Sequence, residues 1–344
     1  MTVAAPRTPG GDGGPGAIAA LGVDIGGTKV LGVALDVAGR VVAEGREPTP
    51  YPQGDGSSLA ADVADAVTRV VAGLEQATGS SGRPVGVGAP GMVDRRAILV
   101  FAPNLPPASG ADLGRLLASR LPGTELTVEN DANCAALAEL RRGSAQGADE
   151  VLVVTLGTGI GGGWISGGRV VTGARGFAGE IGHMVVDPSG PPCPCGRRGC
   201  WERFASGGGL GRLAREAAYG GGLPAVVELA GGDPESVRGE HVTAAARHGD
   251  AGALAVLDEL GWWVALGLAN LVAVVDPSRV VLGGGLAGAG ELLLAPTRRA
   301  FAELVEGGDR RPAIEIVPAA LGERAGAVGA ALGALEGRPA EVGR

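Results

Sequence analysis

Short apolar segments alternate with glycine-containing turns at the start of each half of the chain, and both halves follow the same plan. In the first half, a strand that ends at Asp24 is followed by strands Val30–Val37 and Val41–Glu44. The second half repeats the order with Val151–Leu156, Trp164–Ser166 and Arg169–Thr172. Apolar runs separated by tight glycine turns are typical of antiparallel strands, so each half is predicted to open with a β-meander.

Helical and extended segments then alternate in the same order in both halves. The first half continues with helix Leu59–Leu74, strand Val85–Val87, helix Asp112–Leu121, strand Leu126–Val128 and helix Ala132–Arg142. The second continues with helix Ala253–Val275, strand Arg279–Leu282, helix Gly290–Leu304, strand Ile314–Val317 and helix Glu323–Leu335. Two copies of a β-β-β-α-β-α-β-α unit predict two α/β domains that face each other across a cleft.

The duplication also suggests domain boundaries. We expect a leader at 1–17, a small α/β domain at 18–131, and a large α/β domain at 132–322 with an insertion at 173–250. The last helix, 323–336, is expected to pack back on the first domain.

Composition and charge narrow the choice of partners. The net charge of −8 comes without a cluster of Lys and Arg, which argues against nucleic acid and anionic membranes as partners. The most apolar stretch, Trp262 to Val275, is short for a bilayer span and is predicted to be a buried helix. The leader is rich in Gly, Pro and Ala and lacks the apolar core of a signal peptide, so we expect it to be disordered. The predicted location is the cytoplasm, where thiols stay reduced.

Three glycine loops follow predicted strands: Gly26-Gly27, Gly157–Gly163 and Gly283–Gly285. Such loops let backbone N–H groups approach phosphate oxygens, although each one taken alone could equally be a tight turn. The sequence has no GxxxxGK[ST] loop, and its first glycine loop joins two strands, whereas a dinucleotide-binding loop opens a helix. Two hairpin loops in duplicated positions and a third loop resemble the sugar kinase, Hsp70 and actin superfamily, which implies two ribonuclease-H-like α/β domains around a nucleotide.

A carboxylate lies where strand Leu126–Val128 meets the next helix, in Glu129-Asn130-Asp131-Ala132-Asn133. One interpretation is that Asn130 or Asp131 only caps the helix. The other is a general base, since open α/β sheets place their sites at the ends of parallel strands and a carboxylate there could accept the proton of an attacking hydroxyl.

Three of the four cysteines form a knuckle, Cys193-Pro194-Cys195-Gly196-Arg197-Arg198-Gly199-Cys200. In a reducing compartment this spacing favours zinc over a disulfide, with a purely redox role as the alternative. His183 lies ten residues before Cys193, whereas His241 and His248 follow much later. Cys134 is the other possible ligand, but it lies within a predicted helix of the other domain and is expected to be a small core residue. A Cys3His set would fill all four positions, so the ion should be structural.

These segments together resemble the ROK family of sugar kinases and repressors, and within it the bacterial glucokinases. The resemblance extends from Leu21 to about Leu335. It is carried by Asp24–Lys29, Glu129–Asn133, Gly157–Gly163, Gly179-Glu180-Ile181-Gly182-His183 and Cys193–Glu202.

The resemblance implies a role for each matching residue. Asp131 would deprotonate the sugar 6-hydroxyl, and the remaining sugar contacts would come from Asn130, Glu180, His183, Glu202 and Gly91. Asp24 would lie near Mg²⁺ and the β- and γ-phosphates of ATP. The phosphates would meet Gly26, Gly27, Thr28, Lys29, Gly157, Thr158 and Gly159, and the adenosine would meet Gly284 and Gly285. Zinc would bind Cys193, Cys195, Cys200 and one ring nitrogen of His183, which leaves the other nitrogen for the sugar.

The implied reaction is transfer of the ATP γ-phosphoryl group to the 6-hydroxyl of a hexose. Glucose is favoured by the segment Cys200–Gly207, which resembles the glucokinase branch. The alternatives are mannose, fructose, N-acetylglucosamine and N-acetylmannosamine as substrates, and polyphosphate as donor. A sugar-sensing repressor is a weaker alternative, because it would need a DNA-binding domain ahead of the kinase-like body. The resemblance also suggests a homodimer or homotetramer.

Overall fold

A computed structural model of the protein describes residues 2–4, 16–52, 56–103 and 105–337. The strands are β1 (Thr2–Ala4), β2 (Ile18–Ile25), β3 (Lys29–Asp36), β4 (Val41–Pro48), β5 (Val85–Ala89), β6 (Met92–Val93), β7 (Ile98–Phe101), β8 (Ala111–Asp112), β9 (Leu126–Asn130), β10 (Val151–Leu156), β11 (Ile160–Ser166), β12 (Arg169–Val170), β13 (Arg279–Gly283) and β14 (Glu315–Pro318). The α-helices are α1 (Leu59–Thr78), α2 (Leu113–Arg120), α3 (Asp131–Arg142), α4 (Glu202–Ala205), α5 (Gly207–Tyr219), α6 (Pro224–Leu229), α7 (Gly239–Arg247), α8 (Ala251–Val275), α9 (Glu291–Leu304) and α10 (Ala325–Glu336).

Contacts divide the chain into two compact units. The first comprises the described parts of 1–146, 169–179 and 323–344, and the second comprises 147–168 and 180–322. The domain boundaries derived from the sequence, 18–131 and 132–322, stay a prediction. The expected disordered leader at 1–17 lies outside the described residues except for 2–4 and 16–17.

The main sheet of the first unit has the strand order β1-β4-β3-β2-β5-β9. Strands β2, β3 and β4 form the predicted antiparallel meander, and β2, β5 and β9 are parallel neighbours. Helix α1 covers one face and contributes Val63, Val67 and Val70 to the core. The parallel strands end together, which places the residues that follow β5 and β9 at one edge of the sheet.

Helix α10 packs against β2, β5 and α3 in this unit, and at several glycines of the interface there is no room for a side chain. A Cβ added to Gly86 would lie 1.8 Å from the backbone oxygen of Ala330, and one added to Gly329 would lie 1.7 Å from the oxygen of Cys134. Backbones can approach this closely only where one of the two residues in contact is glycine. The glycines of α10 and β5 therefore fix the position of the helix on the sheet.

In the second unit, four strands have the order β11-β10-β13-β14. Strands β10 and β11 are antiparallel, whereas β10, β13 and β14 are parallel. The core contains the fully buried Trp201 and apolar residues of α8 such as Leu257, Leu260 and Leu268.

Helix α8 is long and apolar enough to cross a membrane by length and composition, and half of its most apolar window is buried inside the protein. It packs against α4, α5, α7 and α9. These contacts are those of a core helix, so the helix predicted over Trp262–Val275 is present and one face of it is buried, whereas Trp262 and Val274 are exposed.

Some elements were not predicted from the sequence. The strands β6, β7 and β8 form a small antiparallel sheet after β5, and two of them have only two residues. The insertion at 173–250 contains the helices α4 to α7, most of which are short. Strands and helices of this length carry too few residues for a periodic pattern to emerge.

The close contact of α10 with α3 yields a stability prediction. Gly329→Ala should lower the free energy of unfolding by about 1–3 kcal/mol, because the new methyl group overlaps the Cys134 carbonyl. Gly333→Ala is the matched control. Its Cβ would meet only Leu137 Cδ2, at 3.8 Å, so this change should raise stability by up to about 1 kcal/mol. Urea denaturation of both variants measures the difference, and equal stabilities would contradict the packing argument.

Candidate active site and metal centre

Asn130 and Asp131 begin α3 in the first unit. Asn130 is the N-cap residue: its Oδ1 accepts the N–H of Asn133 at 3.0 Å. Its amide nitrogen donates to the backbone oxygen of Gly91 at 3.0 Å. The cap interpretation therefore holds for Asn130, whereas Asp131 is the first helical residue, and its Oδ1 accepts the N–H of Ala132 at 2.8 Å. Three of the predicted residues, Asn130, Asp131 and Gly91, are thus brought together.

Asp24, at the end of β2, lies beside Asp131. A Cβ built on Gly88 would be 3.3 Å from Asp24 Oδ1 and 3.5 Å from Asp131 Cα, so both residues border the same point. Burial raises the pKa of Asp24 to about 8, with a further rise from Asp131 and an opposing effect from Lys29. Burial also raises the pKa of Asp131 to about 6, against the hydrogen bond from Ala132.

The Asp24 carboxylate has an unsatisfied oxygen. Its Oδ1 is buried and has no hydrogen-bond partner in the part of the chain that the structure describes. A buried carboxylate oxygen next to a second carboxylate is costly for the protein alone, and oxygen ligands of this kind suit a hard divalent cation. The donor set at Asp24 therefore fits Mg²⁺.

The first glycine loop connects β2 to β3. The N–H of Gly26 donates to the backbone oxygen of Lys29 at 2.9 Å, which closes the turn, while Gly27 and Thr28 are exposed. The ammonium group of Lys29 forms an ion pair with Glu323, in the turn that precedes α10. The loop thus exposes Gly27 and Thr28 to solvent and ends at a cation that is paired with Glu323.

The second and third glycine loops share a cavity of about 630 Å³ in the second unit. Gly157, Thr158 and Gly285 line it. Its lining also includes the first residues of α5 and α7, which are Gly207, Gly208 and Gly239. Three arginines complete the list: Arg215, Arg238 and Arg247. Helix N-termini, glycine backbone and guanidinium groups all favour an anionic ligand, so this cavity suits a nucleotide.

The three arginines and the α5 start were not identified from the sequence. The run Gly207-Gly208-Gly209 could have indicated them, because glycines at a helix start allow close approach to an anion. Arg215 and Arg247 lie on helices whose positions could not be predicted, and Arg238 directly precedes one of them, so no sequence signal linked the arginines to the loops.

Three other predicted residues of this unit, Gly284, Gly159 and Glu202, have a defined place in its loops. Gly284 has a φ of 84°, so it occupies the left-handed region that favours glycine. Gly159 lies against Glu202, and Glu202 Oε2 accepts the N–H of Ile160 at 3.0 Å. Glu202 is therefore fixed to the second glycine loop by this bond.

The four residues His183, Cys193, Cys195 and Cys200 form a cluster whose possible ligand atoms all lie within 4.8 Å of one another. Cys195 Sγ and Cys200 Sγ are 3.6 Å apart, and Cys193 Sγ lies 3.7 Å from His183 Nδ1. Tetrahedral bonds of about 2.3 Å put ligand sulfurs about 3.7 Å apart, so the cluster has the dimensions of a metal site. His183 Nε2 points the other way, 3.9 Å from Glu180 Oε2.

The segment after the knuckle is anchored by Trp201. Its backbone N–H donates to the oxygen of Met184 at 2.8 Å, and its indole N–H donates to the oxygen of Trp263 at 2.7 Å. The buried indole thus connects the cluster to the core and sets the position of Glu202. The structure places Glu180, His183, Glu202 and the cluster together within the second unit.

The family of the chain follows from comparison with known proteins. The model of the ROK family matches residues 20–336. The chain belongs to the ROK family. The glucokinase of Streptomyces coelicolor is 39% identical over 314 residues, which cover 90% of this chain and 96% of that protein. The crystal structure of a ROK family glucokinase from Streptomyces griseus, in complex with glucose and AMPPNP, has a TM-score of 0.83 and 40% identity, over 93% of this chain and 100% of that one.

A relative whose name gives another substrate has a lower sequence identity. The N-acetyl-D-glucosamine kinase of Salmonella paratyphi C is 34% identical over 275 residues, which cover 77% of this chain and 83% of that protein. Together the ROK family relatives confirm the predicted fold class of two ribonuclease-H-like α/β domains.

The raised pKa of Asp24 predicts how stability changes with pH. A carboxyl group whose folded pKa lies above its unfolded value of about 3.9 binds protons more tightly in the folded state. Its contribution to stability is complete below about pH 4 and is lost as the pH rises through about 8. Asp24→Asn removes this loss, so its stability relative to the wild type should rise from about pH 5 to about pH 8.5, an interval that contains most of the loss. Urea denaturation without nucleotide or divalent metal measures it, and parallel pH profiles would disprove the assignment.

Proposed function

We propose that the protein is an ATP-dependent glucokinase that phosphorylates glucose at its 6-hydroxyl. The observation that carries the proposal is the Asn130-Asp131 pair at the start of α3, with its partly buried carboxylate, in a chain 39% identical to a glucokinase. The arginine- and glycine-lined cavity of the second unit supports ATP as the donor.

Asp131 acts as the general base. Its pKa of about 6 is higher than that of an ordinary aspartate, which makes it a better proton acceptor, yet it remains largely ionised at neutral pH. Its hydrogen bond from Ala132 fixes the orientation of the carboxylate, so the reacting hydroxyl meets a preorganised acceptor.

The remaining residues bind and orient the substrates. Asn130 is held by the Gly91 carbonyl and contacts the sugar, with Gly91 forming part of the wall. Glu180 and Glu202 accept hydrogen bonds from further hydroxyls, and His183 Nε2 donates one. The first two glycine loops are assigned to the phosphates of ATP through Gly26, Gly27, Thr28, Lys29, Gly157, Thr158 and Gly159. The third glycine loop is assigned to the adenosine through Gly284 and Gly285. Mg²⁺, when bound with ATP, neutralises phosphate charge, and Asp24 is the residue that would hold it.

Zinc is the metal of the His-Cys cluster. Three thiolates and one imidazole are a common structural zinc set, and a filled tetrahedron leaves no position for a metal-bound water. With Nδ1 of His183 on the metal, its Nε2 carries the proton and remains available to a sugar hydroxyl.

An ATP-dependent enzyme whose cysteines form no disulfide among the described residues, and three of which are assigned to zinc, belongs in the cytoplasm, where thiols stay reduced. Assembly into a homodimer or homotetramer stays a prediction from the family resemblance. Phosphorylation of an N-acetylhexosamine is the second candidate function, because the N-acetyl-D-glucosamine kinase relative shares most of the chain.

A coupled ADP-release assay tests the proposal. Mg-ATP is supplied with glucose, mannose, fructose, N-acetylglucosamine or N-acetylmannosamine. A glucokinase should prefer glucose at least about tenfold in kcat/KM, which corresponds to about 1.4 kcal/mol of discrimination. Preference for an N-acetylated sugar would move the enzyme to amino-sugar metabolism. Replacing ATP with polyphosphate in the same assay tests the donor.

The variant Asp131→Asn is the control for the chemistry. Loss of a general base should lower kcat by about 10²–10⁴-fold while glucose binding, measured by calorimetry, changes little. Near-normal turnover in this variant would refute Asp131 as the base. The substitution preserves the shape of the side chain, so a folding defect is not expected.

The zinc assignment gives a separate prediction. Purified protein should contain one zinc ion for each chain, and Cys200→Ser should lose it, with a lower melting temperature and a higher KM for glucose. Cys134→Ser removes a buried cysteine that lies outside the cluster, and it should retain the metal. Elemental analysis of both variants decides the point, since full zinc content in Cys200→Ser would exclude this ligand.

A further inference from the structure

The first unit contains a cavity of about 400 Å³ beside β9, α3, β12 and α10. Its volume is within the range of small-molecule sites. Asp24, Gly91, Asn130 and Asp131 do not line it. The cavity is therefore separate from the residues to which the proposed reaction has been assigned in this unit.

The inner end of the cavity is rich in hydrogen-bond acceptors. Asn133 is 1% exposed, and its Oδ1 has no hydrogen-bond partner among the described residues. Its amide nitrogen donates to Glu129 Oε1 at 3.2 Å, and Thr127 lies nearby in the lining. An unsatisfied buried oxygen is costly, so this end suits a ligand that donates hydrogen bonds, such as a hydroxylated molecule.

The outer end of the cavity is cationic. Arg141 and Arg169 line it together with Glu336. Arg141 Nε donates to Glu336 Oε1 at 2.7 Å, whereas the guanidinium group of Arg169 has no hydrogen-bond or ion-pair partner among the described residues. Two guanidinium groups against one carboxylate leave a net positive charge, and guanidinium matches phosphate through paired hydrogen bonds.

Between the two ends the wall is apolar, with Val128, Leu137 and Ala330 among its residues. Asn133 and Arg141 are eight residues apart on α3, which corresponds to about 12 Å along the helix. Helical side chains lean towards the N-terminus, and because that of Arg141 is the longer of the two, its guanidinium lies closer to Asn133 than the backbone spacing suggests. The ligand must therefore be extended, with hydroxyl groups at one end and an anionic group at the other.

We propose that this cavity binds a sugar phosphate, with the hydroxyl groups at Asn133 and Glu129 and the phosphate at Arg169 and Arg141. The choice of glucose 6-phosphate as the ligand rests on the proposed function, since it is the product of that reaction. The apolar wall packs against the carbon-bound hydrogens of the sugar ring.

A ligand here acts on the start of α3. Glu129 Oε1, at the inner end of the cavity, accepts the N–H of Asn130 at 2.9 Å as well as the Asn133 amide. Asn130 caps the helix that begins with Asp131. Occupation of the cavity changes the partners of Glu129 and Asn133, and so it inhibits the enzyme without competing with glucose.

The test is a calorimetric titration of glucose 6-phosphate into the protein in saturating glucose, which blocks binding of the product at the substrate site. One binding event is expected for the wild type and for Gly333→Ala. Gly333→Leu should abolish it, because position 333 lines the cavity and has room for a side chain. Arg169→Gln should weaken binding about tenfold through loss of a charge-assisted hydrogen bond, and Arg169→Lys should weaken it less.

An inhibition assay and a titration with inorganic phosphate distinguish the outcomes. Glucose 6-phosphate should inhibit turnover non-competitively with respect to glucose in the wild type, and this inhibition should disappear in Gly333→Leu. The proposal is overturned by the absence of binding in saturating glucose, or by binding that Gly333→Leu leaves intact. It is also overturned if inorganic phosphate binds equally well, since the sugar would then contribute nothing.

Failure of the proposed function can be distinguished from failure of the proposal about the cavity. If another hexose is the substrate in the coupled assay, the titration is repeated with that hexose and its 6-phosphate. A protein that turns over glucose but does not bind the product at a second site refutes only the inference about the cavity.

Discussion

The backbone contact of α10 with α3 and the main sheet is the constraint on which the first unit depends. Gly86 and Gly329 allow the backbones to meet without intervening side chains. The same close packing brings Gly326, in the first turn of α10, against the Asp24 carboxylate: a Cβ there would lie 2.5 Å from Asp24 Cγ. Asp24 therefore lies at the positive end of one helix, and Asp131 begins another. Side chains at these glycines would separate the helices and displace both carboxylates.

In the second unit the corresponding anchor is Trp201 rather than a glycine contact. Its ring is fully buried, and its two N–H groups are hydrogen-bonded to Met184 and Trp263. A loop rich in Gly, Pro and Cys cannot bury enough apolar surface to order itself, so the buried indole at one end and the proposed zinc at the other would supply that order. Glu202 follows directly, and its bond to Ile160 transmits this order to the glycine loop.

The sequence predicted the regular elements better than the site as a whole. Strand β10 has the predicted bounds Val151–Leu156, because its apolar run stands between clear turn signals, whereas α1 continues to Thr78 beyond the predicted Leu74. The Cys knuckle and its histidine were predictable because their chemistry is local in sequence. Arg215 was not, since its place beside the glycine loops depends on how short helices of the insertion pack. Neither periodicity nor spacing encodes such contacts.

The buried carboxyl group of Asp24 lowers the free energy of unfolding at neutral pH. A carboxylate with an unsatisfied buried oxygen next to a second carboxylate opposes folding at neutral pH, as its raised pKa indicates. Apolar residues of similar volume at both positions would remove this penalty. The arrangement is instead suited to a cation and a proton acceptor, both of which need concentrated negative charge. The unit can carry the penalty because the α10 contact and the core beneath α1 stabilise it independently of these two side chains.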